Sequence, residues 1–208
     1  MASKAKKEVL APVSNGADEM ISGERPYRVE VKVRGTAAIL FHAWNNEAVA
    51  EKASAAKGSK TKKSDNLESY VNRDEKGYLA IPGDYLRGSL MGAAKYKQDP
   101  RSPRKSLMDL AKAIIIVETL YASTGVKDWD YVDRRRVTIQ KNAVTRERPA
   151  LREGWEATFY LTVLRPAFIP PSLLQQLLSD AGMFVGLGDF RPTFGRFGVS
   201  HFEVIEEV

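Results

Sequence analysis

The stretch that decides the fold of this chain is YRVEVKVRGTAAILFH, residues 27–42. In residues 27–34 apolar and charged side chains alternate, which is the two-residue period of a strand with one buried face. Residues 37–41 are apolar throughout. They predict that the same strand continues into the centre of a sheet, with Gly35 at a bulge or at a close approach by another segment.

The rest of the chain supplies the other elements of a sheet with covering helices. Apolar residues at helical spacing predict one helix over residues 84–95, with Asp84 as its N-cap. A second helix is predicted between the prolines and the glycine of PPSLLQQLLSDAG, residues 170–182. Apolar or alternating runs predict strands at residues 112–123, 155–164 and 197–208.

The order of these elements is strand, helix, strand, strand, helix, strand. It predicts an α+β fold with a ferredoxin-like (RRM-like) βαββαβ core, in which two helices cover one face of an antiparallel sheet. For residues 112–123, a helix that runs in from Leu107 stays open as an alternative. Residues 1–25 lack periodicity and predict a flexible N-terminal arm, so that residues 26–208 form one domain with insertions at about 45–76 and 122–152.

The composition restricts the chemistry of any site. The chain has no cysteine and only two histidines, His42 and His201, which excludes disulfides, thiol nucleophiles and Cys/His zinc sites. No cluster of carboxylates stands out, so we expect neither a metal nor another cofactor. The net charge of +6 favours a polyanionic partner, because cations that neutralise phosphates release counterions.

The chain also lacks the signals of a membrane protein. No apolar run is long enough to span a bilayer, and the N-terminal residues contain lysines without the apolar segment of a signal peptide. We therefore expect a cytoplasmic protein without a membrane partner.

Two segments concentrate positive charge. The first lies in residues 45–76 and has no acidic residue between its lysines, Lys52, Lys57, Lys60, Lys62 and Lys63. It fits a solvated, mobile loop or a basic protrusion that becomes ordered on a polyanion. The second is dense in arginine: Arg134, Arg135, Arg136, Arg146, Arg148 and Arg152.

A glycine-rich stretch, GLGDFRPTFGRF at residues 186–197, precedes the last predicted strand. A Walker-type phosphate loop follows a strand and opens a helix, whereas this stretch follows a helix and opens a strand. Two interpretations remain open. The stretch is a structural turn, or it is a loop in which Gly186 and Gly188 permit unusual backbone angles while Arg191 and Arg196 contact phosphate.

Three segments in this order resemble the repeat-associated (RAMP) superfamily of CRISPR proteins. They are IPGDYLRGSLMGAAK at residues 81–95, the arginine-rich segment with its returning strand at residues 134–163, and VGLGDFRPTFGRFGV at residues 185–199. The resemblance is strongest to the backbone subunits that coat the guide RNA of multi-subunit effector complexes. Pro192 and Thr193 depart from the usual glycine spacing, and the chain is compact for such a subunit.

The resemblance implies a non-catalytic protein that binds single-stranded guide RNA and self-associates along it, together with other effector subunits. Arg87, Gly88, Ser89 and Gly92 would face the RNA backbone from the first helix. The glycine-rich loop would contribute Gly186, Gly188, Arg191 and Arg196. The two basic segments, with Lys60, Lys62, Lys63, Arg146 and Arg148, would serve as protruding elements.

Other functions stay open. Processing endonucleases of the same superfamily use a histidine for metal-free RNA cleavage, which makes His42 the alternative catalytic residue. Metal-dependent target cleavage would need an aspartate after the first strand, and none occurs between His42 and Lys63. A coat or scaffold protein would use the fold for protein contacts alone. Trp44, in a polar context, fits either stacking on an unpaired base or packing.

Overall fold

The computed structural model of the protein describes residues 25–43, 66–139 and 142–207. Side chains are described for these residues except 137–139, 142–144, 206 and 207. Four predicted RNA contacts, Lys60, Lys62, Lys63 and Trp44, lie outside the described residues, as do residues 1–24 of the predicted arm.

The first half of the fold contains β1 (Tyr27–Gly35), β2 (Ile39–Leu40), a 3₁₀ turn (Leu67–Tyr70), β3 (Asn72–Arg73), β4 (Leu79–Pro82), α1 (Gly83–Ala94), β5 (Gln98–Asp99) and β6 (Ser102–Ser106). The second half contains α2 (Met108–Ile114), β7 (Ile115–Val117), β8 (Tyr121–Ser123), β9 (Tyr131–Ile139), β10 (Asn142–Leu151), β11 (Glu156–Val163), α3 (Pro171–Asp180), a π-helical turn (Ala181–Val185) and β12 (Phe197–Glu207). Every strand pair among the described residues is antiparallel, which confirms the predicted α+β class.

A four-stranded sheet with the order β12-β1-β11-β7 lies at the centre. The two-residue period of β1 explains why one face of this sheet is buried. Val29, Val31 and Val33 are fully buried, while the charged residues between them lie on the opposite face. Leu90 of α1 and Leu177 of α3 are also fully buried and belong to the same apolar cluster as these valines. Burial of each such side chain contributes about 1.5–3 kcal/mol, so the helices are held on this face of the sheet.

Residues 37–41 do not continue β1, contrary to the expectation. The close approach at Gly35 is by Trp155, since a Cβ on Gly35 would lie 2.1 Å from the Trp155 Nε1 atom. The indole donates a hydrogen bond to the Ala37 carbonyl at 2.9 Å. The chain leaves the central sheet there, and β2 pairs with β10 in a separate sheet of order β2-β10-β9.

The arginine-rich segment folds into the β9–β10 hairpin. Its cross-strand pairs include Arg134 with Glu147, whose side chains form an ion pair at 2.7 Å, and Arg135 with Arg146. Because β10 also pairs with β2, the base of the hairpin is joined to the segment that follows β1.

Two local expectations are refined by the structure. Pro82, rather than Asp84, is the N-cap of α1, and Asp84 lies in the first helical turn. Residues 108–117 contain both alternatives, because α2 ends at Ile114 and β7 begins at Ile115. None of the helices in the described part of the chain has the length and apolar character needed to cross a membrane.

Candidate functional site

A cleft of about 1010 Å³ lies between α1 and the glycine-rich loop. We call it the α1 cleft and define it by two walls. One wall consists of Gly88, Gly92, Lys95 and Tyr96, and the other consists of Phe184, Val185 and residues 188–192. Two segments about a hundred positions apart in sequence, each singled out from its glycines, therefore face each other across one space.

The small residues of α1 have different environments. Nothing lies within 4 Å of the position where a Cβ on Gly88 would stand, whereas a Cβ on Gly92 would lie 3.0 Å from the Val185 side chain. Ser89 is fully buried, and its hydroxyl donates to the Ala181 carbonyl at 3.2 Å. This burial corrects the expectation that Ser89 faces a ligand, because it packs α1 against the π-helical turn.

The glycine-rich loop is closed by backbone contacts that only glycine permits. Gly195 has φ +74°, and a Cβ there would lie 1.7 Å from the Leu187 carbonyl oxygen. Gly188 has φ +77°, and its Cβ would lie 2.5 Å from the Leu40 carbonyl oxygen. The Gly195 amide donates to Ala38 at 2.7 Å. The loop is therefore both a structural turn docked on β2 and a wall of the α1 cleft.

The base of the hairpin holds the same loop through a partly buried ion pair. Arg148 of β10 has a 6% exposed side chain and donates from Nε to the Asp189 Oδ2 atom at 2.8 Å. Its guanidinium also lies over the Tyr70 ring, 5.1 Å from the centroid. Arg148 was expected to contact RNA from a protruding element, and its burial corrects that expectation.

A second arginine of the hairpin packs on the loop. The Arg135 guanidinium lies 4.5 Å from the Phe194 ring centroid and 5.6 Å from that of Phe190. Asp133 accepts its Nε hydrogen at 2.6 Å, which orients it. Phe190 itself has φ +54°, a strained angle for an aromatic residue, and its amide donates to the Asp189 carboxylate at 3.0 Å.

The remaining predicted arginines differ in exposure and in their hydrogen bonds. Arg191 and Arg196 are exposed and Arg146 is half-buried, and of these three only Arg191 lines the α1 cleft. Arg87 donates to the Ile115 and Lys112 carbonyls at 3.0 and 3.1 Å. These bonds satisfy carbonyls at the end of α2, so the Arg87 side chain lies along α2. Its RNA contact stays a prediction.

His42 lines a smaller recess of about 200 Å³ that continues the cleft. The recess shares Gly88, Gly188, Asp189 and Arg191 with the α1 cleft and adds His42, Asp84 and Tyr85. The Tyr85 hydroxyl donates to the His42 carbonyl at 3.1 Å. Burial, and then the negative charge of Asp189, raise the pKa of Tyr85 above its usual value.

The described residues hold no group of three or more histidines and carboxylates placed to bind a metal ion. The second histidine, His201, lies on β12 with its Nε2 atom 3.1 Å from a Glu203 carboxylate oxygen. Gly186 is buried within the loop and lines neither the cleft nor the recess.

Sequence reasoning missed several residues of the α1 cleft. Tyr96 and Phe184 project into it, and their rings stand edge to face with centroids 5.8 Å apart. Lys95 also lines the cleft. The signal that could have found Tyr96 is KYK at residues 95–97, in which an aromatic residue is flanked by cations. No local signal marks Phe184 or the Asp189 partner of Arg148.

The similarity of this chain to known proteins is a similarity of fold. No protein-family model matches the chain, and no curated protein matches it either. A solved chain with a similar fold occurs in the cryo-EM structure of the Type III-B Cmr-beta bound to cognate target RNA, with a TM-score of 0.55 and 13% sequence identity. The match covers 91% of this chain and 64% of that one, so the present chain spans less than two thirds of the length of the chain it matches.

Proposed function

We propose that this protein binds single-stranded RNA in the α1 cleft as a non-catalytic subunit of a CRISPR effector-like ribonucleoprotein in the cytoplasm. It coats a guide RNA, self-associates along it and contacts other effector subunits. The motif order of the RAMP superfamily and the fold shared with a chain of a Cmr-beta structure bound to target RNA support this function.

The ferredoxin-like βαββαβ core is part of the same proposal. The first and last strands, β1 and β12, are neighbours, and β11 separates β1 from β7 in the order β12-β1-β11-β7. With α1 between β1 and β7 and α3 between β11 and β12, this order is the one expected for a βαββαβ ferredoxin-like core. Residues 26–208 then form one domain that carries the lysine-rich and arginine-rich insertions.

The single observation that carries the proposal is the open position at Gly88. Glycine inside a helix is less favourable than alanine by about 1 kcal/mol. No neighbour among the described residues requires it, since a Cβ at Gly88 would have nothing within 4 Å. A ligand backbone that approaches α1 closely would explain this glycine. Gly188 and Arg191 face the same space, which suits a phosphate-bearing chain.

Positive charge at the cleft supports an anionic ligand. Lys95 and Arg191 are exposed, and neither makes an ion pair with any residue in the described ranges. We assign phosphate contacts to these two side chains. Arg146 and Arg196 remain proposed contacts beyond the cleft, as do the undescribed Lys60, Lys62, Lys63 and Trp44.

The solvent face of the central sheet is a poorer candidate surface. Its cations are matched by carboxylates, in the ion pairs Arg28–Glu118 at 2.8 Å, Lys32–Glu30 at 3.3 Å and Arg34–Glu156 at 3.5 Å. Among the described residues of this face, the Tyr160 ring lies under the Arg28 guanidinium and donates its hydroxyl hydrogen to Glu30. A surface whose charges are already paired gains little from phosphates.

The test is the salt dependence of RNA binding by the full chain. Fluorescence anisotropy with a labelled oligouridylate should show that the logarithm of the binding constant falls linearly with the logarithm of the salt concentration. Arg191→Gln and Lys95→Gln should each reduce the slope by about 0.7, the value for one phosphate contact on a single strand. Arg34→Gln, on the solvent face of the sheet, is the matched control. Equal slopes for all three variants would contradict the assignment.

The recess at His42 supports a second candidate, metal-independent cleavage of the guide RNA. His42 lines a space that opens beside Arg191, so a bound strand would pass near it. A labelled repeat RNA incubated with the protein in EDTA distinguishes the two functions. Cleavage that His42→Ala abolishes would support the endoribonuclease, and intact RNA that remains bound would support the coating subunit.

A further inference from the structure

Two exposed aromatic rings stand together at one end of the α1 cleft. Tyr96 is 72% exposed and Phe184 is 40% exposed, and their planes meet at 80°. Met183, the neighbour of Phe184 in the chain, is 69% exposed. Large apolar side chains grouped at the surface mark a binding site more often than isolated ones do.

The backbone beneath these rings is firmly packed. Phe184 belongs to the π-helical turn, in which Gly182 lies so close to β12 that its Cβ would stand 2.1 Å from the Phe197 carbonyl oxygen. Tyr96 follows α1 directly, and its amide donates to the Ala93 carbonyl at 3.0 Å. The two rings therefore form a surface whose supporting backbone is already ordered.

The charges around the rings indicate the class of ligand. Lys95 precedes Tyr96, and Arg191 lies on the opposite wall of the same cleft. Proteins that bind single-stranded nucleic acid combine aromatic faces for the bases with cations for the backbone. A partner protein that used only the apolar rings would leave these cations without counter-charges.

We infer that Tyr96 and Phe184 form a stacking subsite for an unpaired nucleobase of single-stranded RNA, with the adjacent phosphates held by Lys95 and Arg191. This inference rests on the proposed function. Stacking accepts any base because every base has a π face, so the subsite adds affinity without sequence preference.

The experiment compares two probes with the full chain. One is a labelled oligouridylate, and the other is an abasic ribose-phosphate strand of the same length and charge. Tyr96→Ala and Phe184→Ala should each weaken oligouridylate binding by about 5- to 140-fold while leaving binding of the abasic strand unchanged. The slope of log affinity against log salt should stay at the wild-type value, since no phosphate contact is lost.

Two matched variants control the result. Tyr96→Phe keeps the ring and should bind both probes as the wild type does. Tyr121→Ala removes a ring that is 51% exposed and outside the α1 cleft, and it should also have no effect. Thermal unfolding followed by circular dichroism checks that each variant is folded, which we expect because both rings are exposed.

The outcomes separate the two proposals. Wild-type binding of both probes with unchanged affinity in Tyr96→Ala and Phe184→Ala would overturn the stacking subsite and leave RNA binding intact. Equal losses for both probes would also overturn it, because the rings would then act on something other than a base. A wild-type protein that binds neither probe would overturn the proposed function and the subsite with it.

Discussion

Buried Arg148 and half-buried Asp189 form an ion pair, 2.8 Å between Nε and Oδ2, that joins the base of the β9–β10 hairpin to the glycine-rich loop. β2 lies between these two segments: Phe41 donates its amide hydrogen to Pro149, and Leu40 accepts the Asp189 amide hydrogen. The wall of the α1 cleft that carries Arg191 is thus held in place by the hairpin. A displacement of one segment strains the contacts of the other.

This pair should contribute strongly to stability only while both partners are present. Asp189→Ala leaves the Arg148 guanidinium buried without its carboxylate, which should cost about 3 kcal/mol of unfolding free energy. The double variant Arg148→Met with Asp189→Ala should lose less than the sum of the single changes, with a coupling energy of about 1 kcal/mol or more. Urea unfolding of the four proteins measures this.

The control for this double-mutant experiment is the same set of variants at the ion pair Arg34–Glu156, whose side chains are both 65% exposed. Its coupling energy should be about 0.5 kcal/mol or less, because solvent screens exposed charges. Additive losses at Arg148 and Asp189 would contradict the coupling of hairpin and loop.

Gly88→Ala should separate stability from binding. The new methyl group meets nothing within 4 Å, so replacing a helix-interior glycine should raise the unfolding free energy by about 0.5–1 kcal/mol. The same methyl group enters the α1 cleft and should weaken oligouridylate binding in anisotropy measurements. Gly77 lies outside the cleft, and a Cβ there would also have nothing within 4 Å. Gly77→Ala should therefore leave binding unchanged. A more stable Gly88→Ala protein with wild-type affinity would show that no ligand approaches this face.

Gly195→Ala should disrupt the glycine-rich loop. A Cβ would lie 1.7 Å from the Leu187 carbonyl oxygen at a φ of +74°, so the loop must move. Gly77→Ala shares the unfavourable angle, with φ +80°, but has open space, and it should cost only about 1–2 kcal/mol. Thermal melting should place Gly195→Ala well below Gly77→Ala, and equal melting temperatures would refute the steric explanation.

Asp99 should make the protein lose stability in acid. The Arg101 side chain, together with its backbone amide, lowers the pKa of Asp99 to about 2. Because an unfolded aspartate has a pKa of about 3.9, the stabilisation is complete above about pH 4 and disappears as the pH falls through about 2. Asp99→Asn should therefore show a smaller loss of unfolding free energy between these pH values than the wild type. Parallel stability curves would contradict the assignment.

Much of the secondary structure follows from local pattern. The alternating residues of β1 and the apolar spacing of α1 and α3 specify these elements, because period and side-chain size act within a few residues. Gly88, Gly188 and Arg191 could likewise be chosen from sequence, although their common cleft could not. Residues 37–41 show the limit: an apolar run indicates burial but not which sheet buries it. Here Trp155 packs on Gly35 at the end of β1, and the residues that follow pair with β10.

The sequence alone determined the antiparallel α+β class, the excess of positive charge, the absence of cysteine chemistry and the glycine-rich segments as candidate binding elements. Only the tertiary structure decided what each candidate does. It buried Ser89 and Arg148, turned Arg87 toward α2, and brought Tyr96 and Phe184 together. The physical reason is that a charge or a ring acts according to its neighbours in space, and those neighbours come from distant parts of the chain.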